Sequence, residues 1–265
     1  MRSQLFPSLA LIALLGCEGP AGPAGPQGPE GPQGPQGPAG EGEGEGEGEG
    51  EGEPCTTVRG NVTIENSLDA AAMSGVCVVE GDLVLIGAAA LEGFTVQTVT
   101  GTLDIRGFMP TISVPTLVSV GGSVTVTATT ATSIAFPALA DCGGLFVGAC
   151  SAAEEVRFPV LRTVHDAGLG ITGNPVVAVV DLGALETVAL GFVINSGAMT
   201  TLDFPSLRTV GGGMGIDSVT QLVTLNLPVL ESVGATFGGT LDIVGNPALT
   251  TCTGALIVNV GDCVQ

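Results

Sequence analysis

The chain has 265 residues and a formal net charge of −20, and it contains neither Trp nor Tyr. Nine of its 26 acidic residues lie at or before Glu53, so the 17 others and five arginines leave the remainder of the chain near −12 (5 − 17). This acidity argues against nucleic acid as a partner and against electrostatic docking on anionic lipid. An aromatic platform for sugars or bases could come only from Phe.

Residues 1–16 are predicted to be a signal peptide. Arg2 gives a positively charged start, and Leu5 to Leu15 form an apolar segment that is too short to cross a membrane as a helix. The segment ends in Leu-Leu-Gly-Cys, which resembles the bacterial lipobox, whose Cys is lipidated and becomes the mature N-terminus. The resemblance implies lipid attachment at Cys17 and anchoring to a membrane. The alternative is an ordinary secretory signal with an incidental Cys.

Residues 17–39 join this Cys to a collagen-like stalk. From Gly19 to Ala39 the sequence consists of seven Gly-Pro-Y triplets. A collagen triple helix requires Gly at every third position, because only Gly fits at its axis. Two states stay open. One is a homotrimer, favoured by the high effective concentration on a membrane; the other is a monomeric, semi-rigid spacer of roughly 65 Å at ~3.1 Å per residue.

Residues 40–54 are predicted to be an acidic linker. Glu and Gly alternate from Glu41 to Glu53, and like charges on a Gly-rich chain favour an extended, solvated segment. Evenly spread carboxylates on a disordered chain lack the convergent geometry of a Ca²⁺ loop, so no metal is predicted here.

Residues 55–265 contain a repeat with a period of 20–24 residues. Each copy starts at an anchoring position, and successive anchors are Val58, Val79, Val99, Val120, Cys142, Val164, Val188, Val210 and Val233. Apolar residues follow most anchors at +4 and +6, and this alternation predicts a half-buried strand. A Gly before the strand, such as Gly81 or Gly101, predicts a positive φ or a close backbone approach.

The second half of each copy combines an apolar residue, a Pro and, two residues later, a Leu. The pairs are Val114-Pro115, Phe136-Pro137, Phe158-Pro159, Phe204-Pro205 and Leu227-Pro228. Pro cannot donate to a sheet ladder, so this segment is predicted to be an edge or a corner. No window combines helical periodicity with caps, so little helix is expected. One copy cannot bury its own apolar positions but stacked copies can, which predicts an all-β solenoid of about nine coils.

The pattern Val-x-Gly-x-Leu-x-Ile, then an Asn/Gly turn, then Leu-Pro-x-Leu-x-x-Val resembles the receptor L-domain family and related leucine-rich-repeat-like surface proteins of bacteria and fungi. Gly-Asn-Pro turns at 173–175 and 245–247 fit that family. The resemblance covers about Cys55 to Cys263 and implies a right-handed β-helix-like solenoid. It implies no receptor function, because no binding residue of the family maps onto this chain.

Six cysteines follow the linker, and an even number in an exported protein predicts disulfides. Contacts in a solenoid are local, so the favoured pairs among the fifteen sets of pairings are Cys55–Cys77, Cys142–Cys150 and Cys252–Cys263. The first and last pairs would staple the two ends of the stack, where the apolar column needs caps. The chain has neither Cys-x-x-Cys nor a His near a Cys pair, so no zinc site is predicted.

The sequence predicts no catalytic residue, no metal and no cofactor. His165, the single histidine, stands beside Asp166 at a predicted corner, where a turn pair is the favoured interpretation over a catalytic relay. Glu154 and Glu155 are adjacent and would point apart on an extended chain. Polysaccharide-cleaving β-helices cluster their acids on adjacent coils, whereas Asp104 and Asp242 are outward positions several coils apart.

These features together predict a non-catalytic recognition or adhesion lipoprotein on a bacterial cell envelope, at the outer membrane or cell surface. Its partners would be the membrane, reached through the lipid, and an unknown protein or surface ligand. A structural envelope protein without a specific ligand is the alternative, and a polysaccharide-active β-helix enzyme is the third hypothesis. An apolar or Arg-rich patch on one face would favour recognition, and a uniformly polar face would favour the structural role.

Overall fold

The computed structural model describes residues 55–87, 94–256 and 261–263. All of them belong to the unit Gly50–Gln265. The predicted signal peptide, stalk and linker, and Cys17 with them, lie outside the described residues. The fold below is therefore that of the repeat region alone.

The described chain forms 23 short strands and one helix, α1 (Ser67–Ala72). The strands of the first coils are β1 (Thr56–Arg59), β2 (Val62–Ile64), β3 (Val76–Glu80), β4 (Leu83–Ile86), β5 (Thr98–Val99), β6 (Leu103–Gly107), β7 (Ile112–Ser113), β8 (Ser119–Thr129), β9 (Ser133–Ala135), β10 (Asp141–Gly148) and β11 (Glu155–Arg157). Those of the later coils are β12 (Thr163–Val164), β13 (Leu169–Thr172), β14 (Val179–Asp181), β15 (Thr187–Val188), β16 (Phe192–Asn195), β17 (Thr201–Asp203), β18 (Thr209–Val210), β19 (Met214–Asp217), β20 (Thr224–Asn226), β21 (Ser232–Val233), β22 (Leu241–Val244) and β23 (Thr251–Thr253).

The strands stack in three columns, and every pairing between coils is parallel. The first column is β1-β3-β5-β8-β10-β12-β15-β18-β21, one strand for each predicted anchor. The second column is β2-β4-β6-β8-β10-β13-β16-β19-β22, because β8 and β10 run through both columns. The third column consists of β7-β9-β11-β14 and β17-β20-β23. Nine stacked strands make about eight full turns, so the predicted all-β solenoid is confirmed; its right-handed sense stays a prediction.

The interior is filled by the residues that the repeat placed inward. The anchors from Val79 to Val210 are fully buried, and so are the paired apolar residues of the second column, such as Leu103 with Ile105 and Phe192 with Ile194. Each inward side chain rests on its equivalents in the coils above and below, so the stack buries what one coil would expose.

The Pro-containing segments form the predicted corners. In the segment that starts at Phe136, the carbonyl of Phe136 accepts a hydrogen bond from the amide of Leu139. This is a β-turn with Pro137 at its second position, where Pro presets φ and no amide donor is needed. Phe136 and Phe158 of successive corners stack inside, with ring centroids 5.0 Å apart and planes at 5°.

A second corner follows the second column, and there the backbone is left-handed in eight successive coils. Glycine fills the position at Gly87, Gly107, Gly173 and Gly245, with φ between +67° and +95°. The other four coils place a non-glycine residue there: Ala128, Ala149, Ser196 and Ser218, with φ between +50° and +58°. The sequence indicated this corner only at the Gly-Asn-Pro turns that begin at Gly173 and Gly245, because half of the corner residues are not glycine. The close approach predicted for the glycines before the strand is present at Gly101, since a Cβ on Gly101 would be 2.7 Å from the Gly81 carbonyl carbon.

Both predicted end staples are present. Cys55 and Cys77 are bonded with their Cα atoms 5.4 Å apart, and Cys252 and Cys263 with theirs 5.7 Å apart. Near the first staple, the side chain of Asn66 caps helix α1 by accepting hydrogen bonds from two amides of its first turn. At the other end, the amide of Asp262 donates to the carbonyl of Ile243, which covers part of the last strand edge.

The predicted Cys142–Cys150 disulfide is wrong, because both thiols are free and buried. Cys142 is the inward anchor at the start of β10, and Cys150 lies just past the end of that strand. An extended strand of this length places them roughly 20 Å apart, far beyond the reach of a disulfide. Burial, and then the Asp141 carboxylate, raise the pKa of the Cys142 thiol to about 12. This thiol is therefore a small apolar core residue rather than a reactive group.

Candidate functional site

The second column presents one face of the described stack. Its outward residues at the centre of each strand are Thr63, Val84, Asp104, Thr125, Phe146, Gly170, Val193, Gly215 and Asp242, which are aligned across the coils by the strand register. Eight of these positions hold small or polar residues. Phe146 is the exception, near the middle of the face.

The ring of Phe146 lies over two glycines instead of standing free of the sheet. A Cβ on Gly148, two residues along the same strand, would be 2.7 Å from two ring atoms, and one on Gly170 of the next coil would be 3.0 Å from a third. Because Gly148 and Gly170 have no Cβ, there is room for the ring against their backbone. The other side of the ring faces outward, and the residue is 41% exposed.

The ring forms one side of an open hollow of about 460 Å³. Four glycines of adjacent coils line its floor, namely Gly144, Gly168, Gly170 and Gly191. Ser123, Thr125 and Thr172 add hydroxyl-bearing side chains to the lining, and Val193 adds apolar surface. A ligand in this hollow would meet an aromatic face, bare backbone and a few hydroxyls.

The hollow has no charged side chain in its lining. Charged residues lie just outside the lining: Asp166 precedes Ala167 in sequence, and Asp104, which pairs with Arg106 at 3.5 Å, is in register with Thr125. A mainly apolar, uncharged surface with a few polar groups can bind a neutral ligand, but it offers neither an acid nor a base for chemistry.

The repeat predicted outward positions such as Asp104 and Asp242 but did not predict Phe146. A count from the anchors fails in the fifth coil, because the register shifts between Cys142 and Gly144 and the strand starts one residue early. The signal that could have found it is local: Leu145 and Val147 are apolar and alternate around Phe146, and both are buried.

The residues weighed for catalysis do not form one site. Nδ1 of His165 lies 3.2 Å from a carboxylate oxygen of Asp166, on the surface and at a corner, as predicted. Asp104 and Asp242 lie in the same row six coils apart, which is roughly 29 Å at the usual strand spacing. Among the described residues, no group of three or more His, Cys, Asp or Glu is arranged to hold a metal.

Glu155 belongs to a small ionic network on the third column. It accepts a hydrogen bond from Ser133 at 2.6 Å and pairs with Arg157 at 2.8 Å, and Arg157 also reaches Asp181 at 3.7 Å. The hydrogen bond from Ser133, and then that from Arg157, lower the pKa of Glu155. Its neighbour Glu154 uses its backbone in the ladder, since its amide donates to the carbonyl of Thr132. The network explains Glu155 as a surface link between coils.

One pair of carboxylates does fall on adjacent coils. Asp242 is in register with Gly215, so Asp217, two residues further along the same strand, is its diagonal neighbour on the outward face. Burial, and then the charge of Asp242, raise the pKa of Asp217. The sequence indicated Asp242 as an outward position several coils from Asp104, but it did not indicate Asp217 as its neighbour.

The face and hollow thus belong to a parallel β-solenoid with an aromatic surface site. Comparison of the chain with protein-family models, with curated proteins and with solved structures found no match. In the described part of the chain, no helix is long and apolar enough to span a membrane.

Proposed function

We propose that this chain is a non-catalytic recognition or adhesion lipoprotein, displayed on a bacterial cell surface by a lipid at Cys17. The observation that carries the proposal is the exposed ring of Phe146 in an uncharged, glycine-floored hollow. Exposed aromatic surface with polar groups at its rim is typical of binding sites. A neutral sugar chain fits best, because its C–H face can stack on the ring while its hydroxyls meet those of Ser123, Thr125 and Thr172.

The first experiment compares the binding of neutral and acidic glycans by the wild-type protein and by Phe146→Leu. Leu keeps an apolar cover over Gly148 and Gly170 but removes the aromatic face. Removing one stacked aromatic is expected to weaken binding of a neutral glycan roughly tenfold or more. Phe108→Leu is the matched control, because Phe108 is 77% exposed outside the hollow. Equal loss in both variants, or no loss in Phe146→Leu, would contradict the assignment of the hollow.

Display at the surface is tested separately with Cys17→Ser. A lipidated Cys17 predicts that the wild-type protein partitions with membranes and carries acyl chains in its mass spectrum, whereas the variant is released. Wild-type protein that is found without lipid in the soluble fraction would exclude the anchor, and with it this mode of display.

The stalk offers a homotrimer or a monomeric spacer. Light scattering on the chain from Gly19 and on a version from Cys55 distinguishes them. A trimer that falls to a monomer when residues 19–54 are removed supports multivalent display, in which linked weak sites bind far more tightly than one alone. If both proteins are monomers, the Gly-Pro-Y stalk is a spacer. If glycan binding is absent as well, the result favours a structural envelope protein without a ligand.

Polysaccharide cleavage is the second candidate, because Asp217 and Asp242 are neighbours on the same face. Two carboxylates on adjacent coils are what such an enzyme requires, and the raised pKa of Asp217 suits a proton donor. Release of reducing ends from a neutral polysaccharide, abolished by Asp217→Asn, would establish this activity. Binding without release of sugar would support recognition alone.

A further inference from the structure

A row of alternating charges runs down the last four coils. It consists of Arg162, Glu186, Arg208 and Glu231, which we call the charge ladder. The four residues are direct neighbours, because the amide of each donates to the carbonyl of the one before it: Glu186 to Arg162 at 2.8 Å, Arg208 to Glu186 at 2.9 Å and Glu231 to Arg208 at 2.8 Å. The same row continues through Ala140 and Val118, which are uncharged.

The ladder is open to solvent. Its four side chains are between 45% and 68% exposed, although Arg162 pairs with Glu186 at 2.9 Å and Arg208 with Glu231 at 2.6 Å. The residues that follow the ladder in sequence are small and half-buried (Thr163, Thr187, Thr209 and Ser232). The outward residues two positions before it are also small (Val160, Ala184, Ser206 and Val229). A flat partner could therefore reach the charged heads.

We propose that the charge ladder is a contact surface for a second copy of this chain, bound antiparallel. When the order Arg-Glu-Arg-Glu is turned by a two-fold axis, it meets Glu-Arg-Glu-Arg. Arg162 then faces Glu231 of the partner subunit, and Glu186 faces Arg208 of the partner subunit, so all four contacts join opposite charges. A parallel copy in the same register would bring like charges together.

The spacing of the charges argues for this partner over others. Adjacent ladder residues are one coil apart, about 4.8 Å, so a complementary surface must alternate in charge with the same period. The ladder of a second copy does so by construction, as isologous contacts require. A surface of one sign would match only half of the ladder.

The proposal goes beyond recognition at the hollow and does not depend on it. The chain enters the stack at β1, so in an antiparallel pair the two points of entry lie at opposite ends. If the chain is anchored as proposed, such a pair suits molecules that extend from two facing surfaces.

Two double variants of identical composition and net charge test the proposal. Arg162→Glu with Glu231→Arg changes the order to Glu-Glu-Arg-Arg: it breaks both pairs within the chain but leaves all four antiparallel contacts attractive. Arg162→Glu with Glu186→Arg changes the order to Glu-Arg-Arg-Glu: it keeps both pairs within the chain but makes all four antiparallel contacts repulsive. Equal net charge matters, because the negative domain repels its copies in every variant.

The measurement is sedimentation velocity of the purified full chain over a concentration series, at roughly 0.15 M salt so that distant charges are screened. We expect concentration-dependent pairing of the wild-type protein and of the Arg162/Glu231 variant, and pairing of the Arg162/Glu186 variant that is at least roughly tenfold weaker. Any association through the stalk is common to all three proteins and cancels in the comparison. Far-UV circular dichroism checks that each one is folded.

Three results would overturn the proposal: no pairing of the wild-type protein, equal pairing of all three proteins, or equal loss in both variants. If either double variant fails to fold, exchanging all four charges, to Glu-Arg-Glu-Arg, keeps both sets of contacts and must still pair. Phe146→Leu, which tests the hollow, must leave pairing unchanged. The two proposals can therefore fail independently.

Discussion

The left-handed corner after the second column provides a quantitative test of how this stack is held together. Ala128, Ala149, Ser196 and Ser218 have φ between +50° and +58°, where the equivalent coils use glycine. A non-glycine residue in this conformation costs roughly 1–2 kcal/mol. Replacing it with glycine removes that cost but adds about 0.5–1 kcal/mol of backbone entropy in the unfolded chain. The net stabilisation is therefore expected to be about 0.5–1 kcal/mol per site.

Changing all four residues to glycine should thus raise the free energy of unfolding by roughly 2–4 kcal/mol, if the sites are additive. Ser196→Gly should give the largest single gain, because the Ser196 hydroxyl is buried with no hydrogen-bond partner and its removal also ends a desolvation penalty. Little packing is lost, since Ala128, Ala149 and Ser218 are exposed.

The assay is urea unfolding followed by far-UV circular dichroism, because the chain has no Trp or Tyr for fluorescence. Ser218→Ala is the matched control for Ser218→Gly. Both variants remove the Ser218 hydroxyl, but Ala keeps a Cβ in the left-handed region, so Ser218→Ala should not raise the free energy of unfolding. Gly173→Ala is the converse test and should cost roughly 0.5–1 kcal/mol net, since the nearest atom to its Cβ would be 3.6 Å away and only the backbone conformation is strained. Glycine variants that are less stable than the wild-type protein would refute the reasoning.

Three further predictions concern single groups. The pKa of the Cys142 thiol is raised from 9.0 to about 12 in the folded state. The free energy of unfolding should therefore be constant below pH 9 and should fall between pH 9 and pH 12 by up to ~1.4 kcal/mol per pH unit. Cys142→Val, which places the residue of the other anchors here, should abolish this fall when unfolding is measured over a series of pH values. The raised pKa of Asp217 means that the folded state loses stability as pH rises through it, so Asp217→Asn should raise the melting temperature at neutral pH and flatten its acid dependence. Replacing Cys252 and Cys263 with Ser should lower the free energy of unfolding by about 2–3 kcal/mol, from the length of the loop they close, whereas a reductant should leave that variant less affected than the wild-type protein.

The interior of this fold could be predicted from the sequence because every coil needs an apolar side chain at the same place in the stack. The anchors from Val79 to Val210 are buried because each must fill the space between its two neighbours, and an apolar residue at a fixed interval reveals this demand. The Pro corners could be read for a similar reason, since Pro at one position of a turn leaves a visible signature. The end staples followed from the need to close an exposed column.

Features that depend on one coil alone could not be read in this way. The register shift after Cys142 moves Phe146 to the outward row, and a fixed count from the anchor misses it. The predicted Cys142–Cys150 bond failed because proximity in sequence was taken for proximity in space, although β10 is extended between the two residues. Asp217 was overlooked because diagonal neighbours are set by register, which the repeat suggests but does not specify.

The outward positions carry the information on function, because stacking leaves them free to vary. If the row served only to hold the coils together, residues of the same kind would be expected along the whole stack. The charge ladder does not follow this expectation: its row is uncharged at Val118 and Ala140 and charged in each of the next four coils. Exposed ion pairs contribute only about 0–1 kcal/mol each to stability, so stability alone gives little reason to concentrate four charges in one half. A contact that needs a defined length of alternating charge does give such a reason, and the two double variants separate these explanations.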